Sequence, residues 1–140
     1  MPTPIQEKRR LSNPTLLYIT DAKIDPETKM PRSGWLPYLQ KEANLQGVTI
    51  EIRSPKDVDE QALKKSDYPL ILLDMPYLDF GINEMADQIK KLRKFSPNTQ
   101  ILVTTAAPNV DYAIAAFHAG ASDYVTQSIN QRDLRAILKS

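Results

Sequence analysis

Cysteine is absent from the 140 residues, so structural disulfides, thiolate metal sites and cysteine nucleophiles are all excluded. Glycine is nearly as scarce, with four residues. None of the four belongs to a loop that could cradle a phosphate, which argues against a dinucleotide-binding or P-loop enzyme. No apolar run approaches the roughly 20 residues that span a bilayer. The opening Met1-Pro-Thr-Pro-Ile-Gln-Glu-Lys-Arg-Arg10 also lacks the apolar stretch of a signal peptide. An excess of one charge is missing too: 18 basic against 17 acidic residues leave a formal net charge of +1. That balance offers no global attraction for nucleic acid or for an anionic membrane. The expectation is a cytoplasmic protein without membrane contact, whose domain does not bind nucleic acid directly.

What is present suits one domain with a core, since 41% of the residues are hydrophobic and 25% charged. Residues 1–14 hold three of the prolines and the Lys8-Arg9-Arg10 triplet, a composition that buries little apolar surface and reads as a mobile tail. The domain is then expected over 15–140.

Its organising stretch is Tyr68-Pro-Leu-Ile-Leu-Leu-Asp74. Leu70 to Leu73 form an unbroken apolar run closed by Met75-Pro76, the mark of a strand buried on both faces. An aspartate ending such a strand sits where open parallel sheets place their ligand crevices. The first strand, Thr15-Leu-Leu-Tyr-Ile-Thr-Asp21, ends in an aspartate as well. Residues 22–34 read as a loop long for a strand-to-helix connection, of the kind that acts as a lid over a crevice. Trp35 to Gln46 then carries apolar residues at helical spacing, with Gly47 as its stop. Val48 to Arg53 alternates with period two, as a half-exposed strand does. A polar helix follows over about Lys56 to Lys65, and Ile82 to Phe95 is amphipathic through Ile82, Met85, Ile89 and Leu92. Gln100 to Ala106 is the fourth strand, with Thr104 and Thr105 near its end. Ala107 and Pro108 open a helix to about Ala119, with Tyr112, Ala113, Ala116 and Phe117 available for packing and Gly120 closing it. Ser122 to Gln127 is the fifth strand, and Asn130 caps a last helix with Leu134, Ile137 and Leu138 on its apolar face. This alternation predicts an α/β protein, a five-stranded parallel sheet with helices on both faces.

Asp21, Asp74, Thr104 and Thr105 therefore converge on one crevice. With Gly120-Ala-Ser-Asp-Tyr-Val-Thr-Gln127 and Thr105-Ala106, the chain resembles the receiver (CheY-like) domain of bacterial response regulators. The intervals agree, 31 positions from Asp74 to Thr105 and 22 from Thr105 to Gln127. The resemblance covers about Thr15 to Ser140 and implies the flavodoxin-like, doubly wound strand order 2-1-3-4-5. It implies that Asp74 is the phosphoacceptor candidate, a carboxylate nucleophile in a two-component phosphorelay. It makes Asp21 and Asp74 the ligands of a Mg²⁺ ion, and Thr105 and Tyr124 the residues that sense the phosphoryl group. It further implies protein contacts or homodimers through the face formed by the fourth helix, fifth strand and fifth helix, about Val110 to Leu138.

The departures fall on the chemistry. Thr20-Asp21 stands where the family has two adjacent acids, which leaves at most a weak Mg²⁺ site. Gln127 occupies the lysine position, and Ser128 follows it in place of proline. A neutral hydrogen bond in place of a charge-assisted one removes about 1 to 2 kcal/mol of phosphorylation-linked coupling, roughly tenfold. The loop after Asp74 is altered as well, with Pro76 arriving early. The reading that follows is a degenerate receiver, a pseudo-receiver that is not an enzyme and acts by protein–protein interaction. Its partner is another protein or an output domain, such as that of a transcription factor. One alternative is a phosphorylatable receiver in which Asp74 serves a cognate histidine kinase with Mg²⁺. A more distant one is a Mg²⁺-dependent phosphatase-like enzyme using Asp21 and Asp74. His118, Trp35, Met85 and Phe117 read as surface or core residues rather than ligands.

Overall fold

The computed structural model describes residues 15–32, 35–65, 68–75, 81–105, 109–126, 135, 136 and 138. The expected elements of residues 1–14 and the residues Gln127, Asn130, Leu134 and Ile137 lie outside them.

Five parallel strands form one sheet in the order β2-β1-β3-β4-β5, as the doubly wound fold requires. They are β1 (Thr15–Thr20), β2 (Thr49–Arg53), β3 (Leu70–Met75), β4 (Gln100–Thr105) and β5 (Asp123–Thr126). The connecting helices are α1 (Leu36–Leu45), α2 (Glu60–Lys65), α3 (Ile82–Phe95) and α4 (Val110–Ala119). Arg135, Ala136 and Leu138 are helical and belong to the last helix.

Successive strand residues point to opposite faces, and this alternation sorts the core into two layers. Leu17, Ile19, Ile71, Leu73, Met75, Ile101 and Val103 pack on one face beneath Met85, Ile89 and Leu92 of α3 and Ala116 of α4. Leu16, Tyr18, Leu70, Leu72 and Leu102 pack on the other beneath Trp35, Leu36 and Leu39, with Leu138 against the layer. β3 is buried along its whole length, as its unbroken apolar run predicts.

Three expectations need correction. The helix predicted over Lys56 to Lys65 is split: Pro55–Asp57 is a 3-10 turn, Val58 is extended, and α2 starts only at Glu60. The cause is Asp59, whose side chain accepts from the Gln61 N–H at 3.0 Å while its carbonyl accepts from Leu63 N–H at 3.0 Å, a helix start. α4 begins at Val110, later than Ala107, because Asn109 Oδ1 accepts the N–H groups of Asp111 and Tyr112. Phe117, expected to pack inward, is exposed. Ala116 and Ala119 take the inward positions, and these small side chains let α4 lie close on its neighbours. Gly120 closes α4 in the left-handed conformation (φ 118°), with Arg93 Cγ 3.1 Å from where a Cβ would stand.

The region 22–32 is more ordered than a plain loop. Ile24 and Pro31 form an antiparallel bridge, and Arg32 N–H donates to Lys23 O at 2.8 Å. Asp25 Oδ1 accepts from Glu27 N–H at 2.8 Å, a local bond that makes a hairpin turn. That bond holds the Asp25 carboxyl below its ordinary pKa, with Thr28 N–H and the Arg32 guanidinium adding to it.

Candidate functional site

Strand register assembles the site. Thr20 of β1, Asp74 of β3 and Thr104 of β4 lie side by side across the sheet. All three continue the alternating series that faces α1, so their side chains share one face. Thr20 Oγ1 donates to Asp74 Oδ2 at 2.9 Å, and Thr104 Oγ1 donates to Asp74 Oδ1 at 2.9 Å. The Trp35 indole N–H, just before α1, donates to Oδ1 at 3.3 Å. The Trp35 ring leans on Tyr18 with centroids 6.1 Å apart and is itself only 6% exposed. Asp74 is left 1% exposed. A carboxylate buried this deeply is tolerated because hydrogen bonds replace its water, and Thr20, Thr104 and Trp35 are neutral donors among them.

The sequence-predicted residues fall as follows. Asp74 is the next-to-last residue of the central strand, which runs on to Met75. Thr105 does not meet it: Thr105 is paired with Met75 and Thr126, one residue beyond Thr104 and so on the opposite face. Tyr124 shares that opposite face, packing on the α3–α4 side of the core, and its hydroxyl accepts from Asn109 N–H at 3.3 Å. It is thus tied to the cap of α4 rather than to Asp74. Asp21 lies half-buried just past β1. Gln127 is outside the described residues. Sequence reasoning missed Thr20 as a partner of Asp74 and Trp35 as its cover, whereas Thr104 was among the residues expected to converge on it. Counting from the paired strand starts, Leu70 and Gln100, finds Thr104.

A Mg²⁺ ion held weakly by Asp21 and Asp74, as implied, would have to displace the hydrogen-bond donors on Asp74. Mg²⁺ keeps several waters and takes oxygen ligands in an octahedron. Asp74 has almost no surface at which a hydrated cation could arrive, and both its oxygens face hydrogen-bond donors. Among the described residues, no three of His, Cys, Asp and Glu are grouped to hold a metal. A second buried carboxylate lies elsewhere. Glu42 of α1 is 1% exposed, and Arg135 Nε of the last helix donates to its Oε1 at 2.7 Å, a bond that raises the guanidinium pKa.

A sheet of this order is the flavodoxin-like, doubly wound type that receivers share, with ligand crevices at the carboxyl ends of its strands. Residues 28–139 match the response regulator receiver domain, and the chain belongs to that family, whose members serve two-component signalling. An uncharacterised transcriptional regulatory protein of Bacillus subtilis, YkoG, is 25% identical over 117 residues, 84% of this chain and 48% of that protein. The chain thus spans about half the length of this curated relative. A Burkholderia pseudomallei response regulator, solved with a phosphorylated aspartic acid, calcium ion and citrate, superposes with a TM-score of 0.66 at 21% identity. The match covers 90% of this chain and 66% of that one. A CheY-like receiver domain from Methanospirillum hungatei gives a TM-score of 0.68 at 19% identity, covering 91% and 92%. No helix among the described residues is long and apolar enough to cross a membrane.

Proposed function

We propose that this receiver works without phosphorylation, as a cytoplasmic pseudo-receiver that is not an enzyme and signals by binding another protein. The observation that carries this reading is the closure of Asp74, with Thr20, Trp35 and Thr104 on its carboxylate and 1% of the residue exposed. An attacking carboxylate needs an open approach to phosphorus, and the indole of Trp35 and the two threonine hydroxyls stand on both oxygens of Asp74. Thr20 in place of a second acid supports the same conclusion.

The binding face is that of α4, β5 and the last helix. Val110, Ile114 and Phe117, at helical spacing, are 73%, 50% and 48% exposed while the alanines of α4 face inward. A helix that turns its larger apolar groups outward gains by burying them against a partner. That partner is an output domain or a second copy of the chain related by a two-fold axis.

The test is intact mass after incubation with acetyl phosphate and Mg²⁺, with Asp74→Ala beside the parent. The expected outcome is no adduct on either folded protein. One phosphoryl group on the parent alone would instead support the alternative, Asp74 as a Mg²⁺-dependent phosphoacceptor serving a histidine kinase.

A further inference from the structure

The hairpin 22–32 and the start of α1 together line an open cavity of about 490 Å³. That volume lies within the roughly 300–1,000 Å³ of small-molecule sites. Its lining divides by chemistry. Buried Pro31 and Leu36 with half-buried Met30 make an apolar floor, while Asp25, Arg32 and Gln40 are polar and more open to solvent. The hairpin wall is fixed by its own backbone. Asp25 N–H donates to Met30 O, Lys29 N–H to Asp25 O and Arg32 N–H to Lys23 O, each at 2.8 Å. Ile24 bridges Pro31, and Met30 packs against the core layer beneath α1. A wall already ordered at folding costs a ligand little further ordering.

The polar side carries both charges at one point. Arg32 Nε stands 3.7 Å from Asp25 Oδ2, near enough for attraction but beyond the roughly 2.7–3.2 Å of an N–H···O hydrogen bond. Asp25 Oδ1 is taken by Glu27 N–H, so Oδ2 is the oxygen turned to Arg32. With side chains 33% and 59% exposed, the Asp25–Arg32 pair contributes little by itself. A ligand bearing both charges can therefore enter between them at small cost. A purely anionic ligand would meet the Asp25 carboxylate, and a purely cationic one the Arg32 guanidinium.

We infer that this cavity binds a small zwitterion with an apolar side chain, the chemistry of a hydrophobic amino acid. Its carboxylate pairs with Arg32, its ammonium with Asp25, and its side chain lies over Met30, Pro31 and Leu36. The inference does not depend on whether Asp74 is phosphorylated.

The experiment titrates the parent chain with L-phenylalanine and follows backbone amides in nitrogen–proton correlation spectra. N-acetyl-phenylalanine, which lacks the ammonium, and phenylalanine amide, which lacks the carboxylate, are titrated beside it. The expected result is saturable movement of the Thr28, Arg32 and Gln40 amides at millimolar L-phenylalanine. Each analogue should bind roughly tenfold more weakly, the size of one lost charge-assisted contact. Arg32→Gln should weaken L-phenylalanine by a similar factor, as should Asp25→Asn, which keeps an acceptor for the turn. Should Asp25→Asn disturb the hairpin amides, Arg32→Gln, at an exposed side chain, decides alone. No saturable movement, or movement centred away from the hairpin and α1, overturns the site. Analogues that bind as tightly as L-phenylalanine, or an Arg32→Gln chain that binds it undiminished, overturn the zwitterion.

Discussion

Trp35 and Asp74, 39 positions apart in the chain, are joined by an indole N–H donated to a carboxylate oxygen at 3.3 Å. The bond places an aromatic cover on the buried carboxylate of the central strand, and the measurable consequences begin there.

Asp74 serves the fold as well as the site. Asp74→Ala leaves the Thr20 and Thr104 hydroxyls and the Trp35 N–H without their acceptor. An unsatisfied buried donor costs about 1 to 3 kcal/mol, so the variant loses about 2 to 4 kcal/mol after the hydroxyls turn elsewhere. Urea denaturation of the parent and variant measures this as a lower midpoint.

Trp35 is the only tryptophan, so intrinsic fluorescence reports on the cover alone. Buried at 6% exposure, it is expected to resist iodide quenching and to keep its emission unchanged when Mg²⁺ is added to millimolar concentration. A saturable change with Mg²⁺ would mean that a cation reaches Asp74.

The Asp25 turn carries a pH dependence of definite sign. Its carboxyl is held below the ordinary value of 3.8, chiefly by the Glu27 N–H. A depressed carboxyl contributes stability that is complete above that ordinary value and is lost as pH falls from there through the lowered one. The amide resonances of Glu27 and Thr28 should therefore move together in an acid titration below about pH 4, whereas Asp25→Asn removes the transition.

Glu42 and Arg135 hold the last helix to α1. Removing Arg135 takes the charged partner from a buried carboxylate that keeps Gln46 Nε2 at 3.5 Å, whereas Arg135 itself is half exposed and loses less when Glu42 is neutralised. Arg135→Ala is expected to destabilise the fold, and Glu42→Gln in the same chain to recover part of the loss. A double-mutant cycle in urea shows the coupling, and additive effects would refute it.

The two faces of α4 should separate stability from association. Ile114→Ser and Phe117→Ser sit on exposed positions and are expected to change stability by about 0.5 kcal/mol or less. Ala116→Leu overfills the seam with α3 and costs about 1 to 3 kcal/mol. Sedimentation velocity at rising concentration, alone and with an output domain, then shows whether the serine variants weaken association, as the proposed face requires.

Much of the architecture was legible in the residues. The apolar run Leu70 to Leu73 identified the central strand because a strand covered on both faces has no polar side to display. The spacing of Ile82, Met85, Ile89 and Leu92 marked α3 with its bounds, since an amphipathic stripe of that length has no other use. Less legible was the start of a helix, where one side chain decides: Asp59 and Asn109 moved α2 and α4 later than the apolar pattern suggested. Apolar character does not fix burial at Phe117, because α4 buries Ala116 and Ala119 and leaves Phe117 exposed.

The residue pattern determined the strand and helix succession, the parallel sheet and the aspartate near the end of the central strand, whereas the strand order and the missing second acid at Thr20 came from the resemblance to receivers. Tertiary structure alone decided which threonine meets Asp74 and what covers it. A shift of one residue in strand register turns a side chain to the other face, so Thr104 and Thr105 cannot be told apart without the pairing. Trp35 meets Asp74 across 39 positions of the chain, a contact between distant residues that no local pattern encodes.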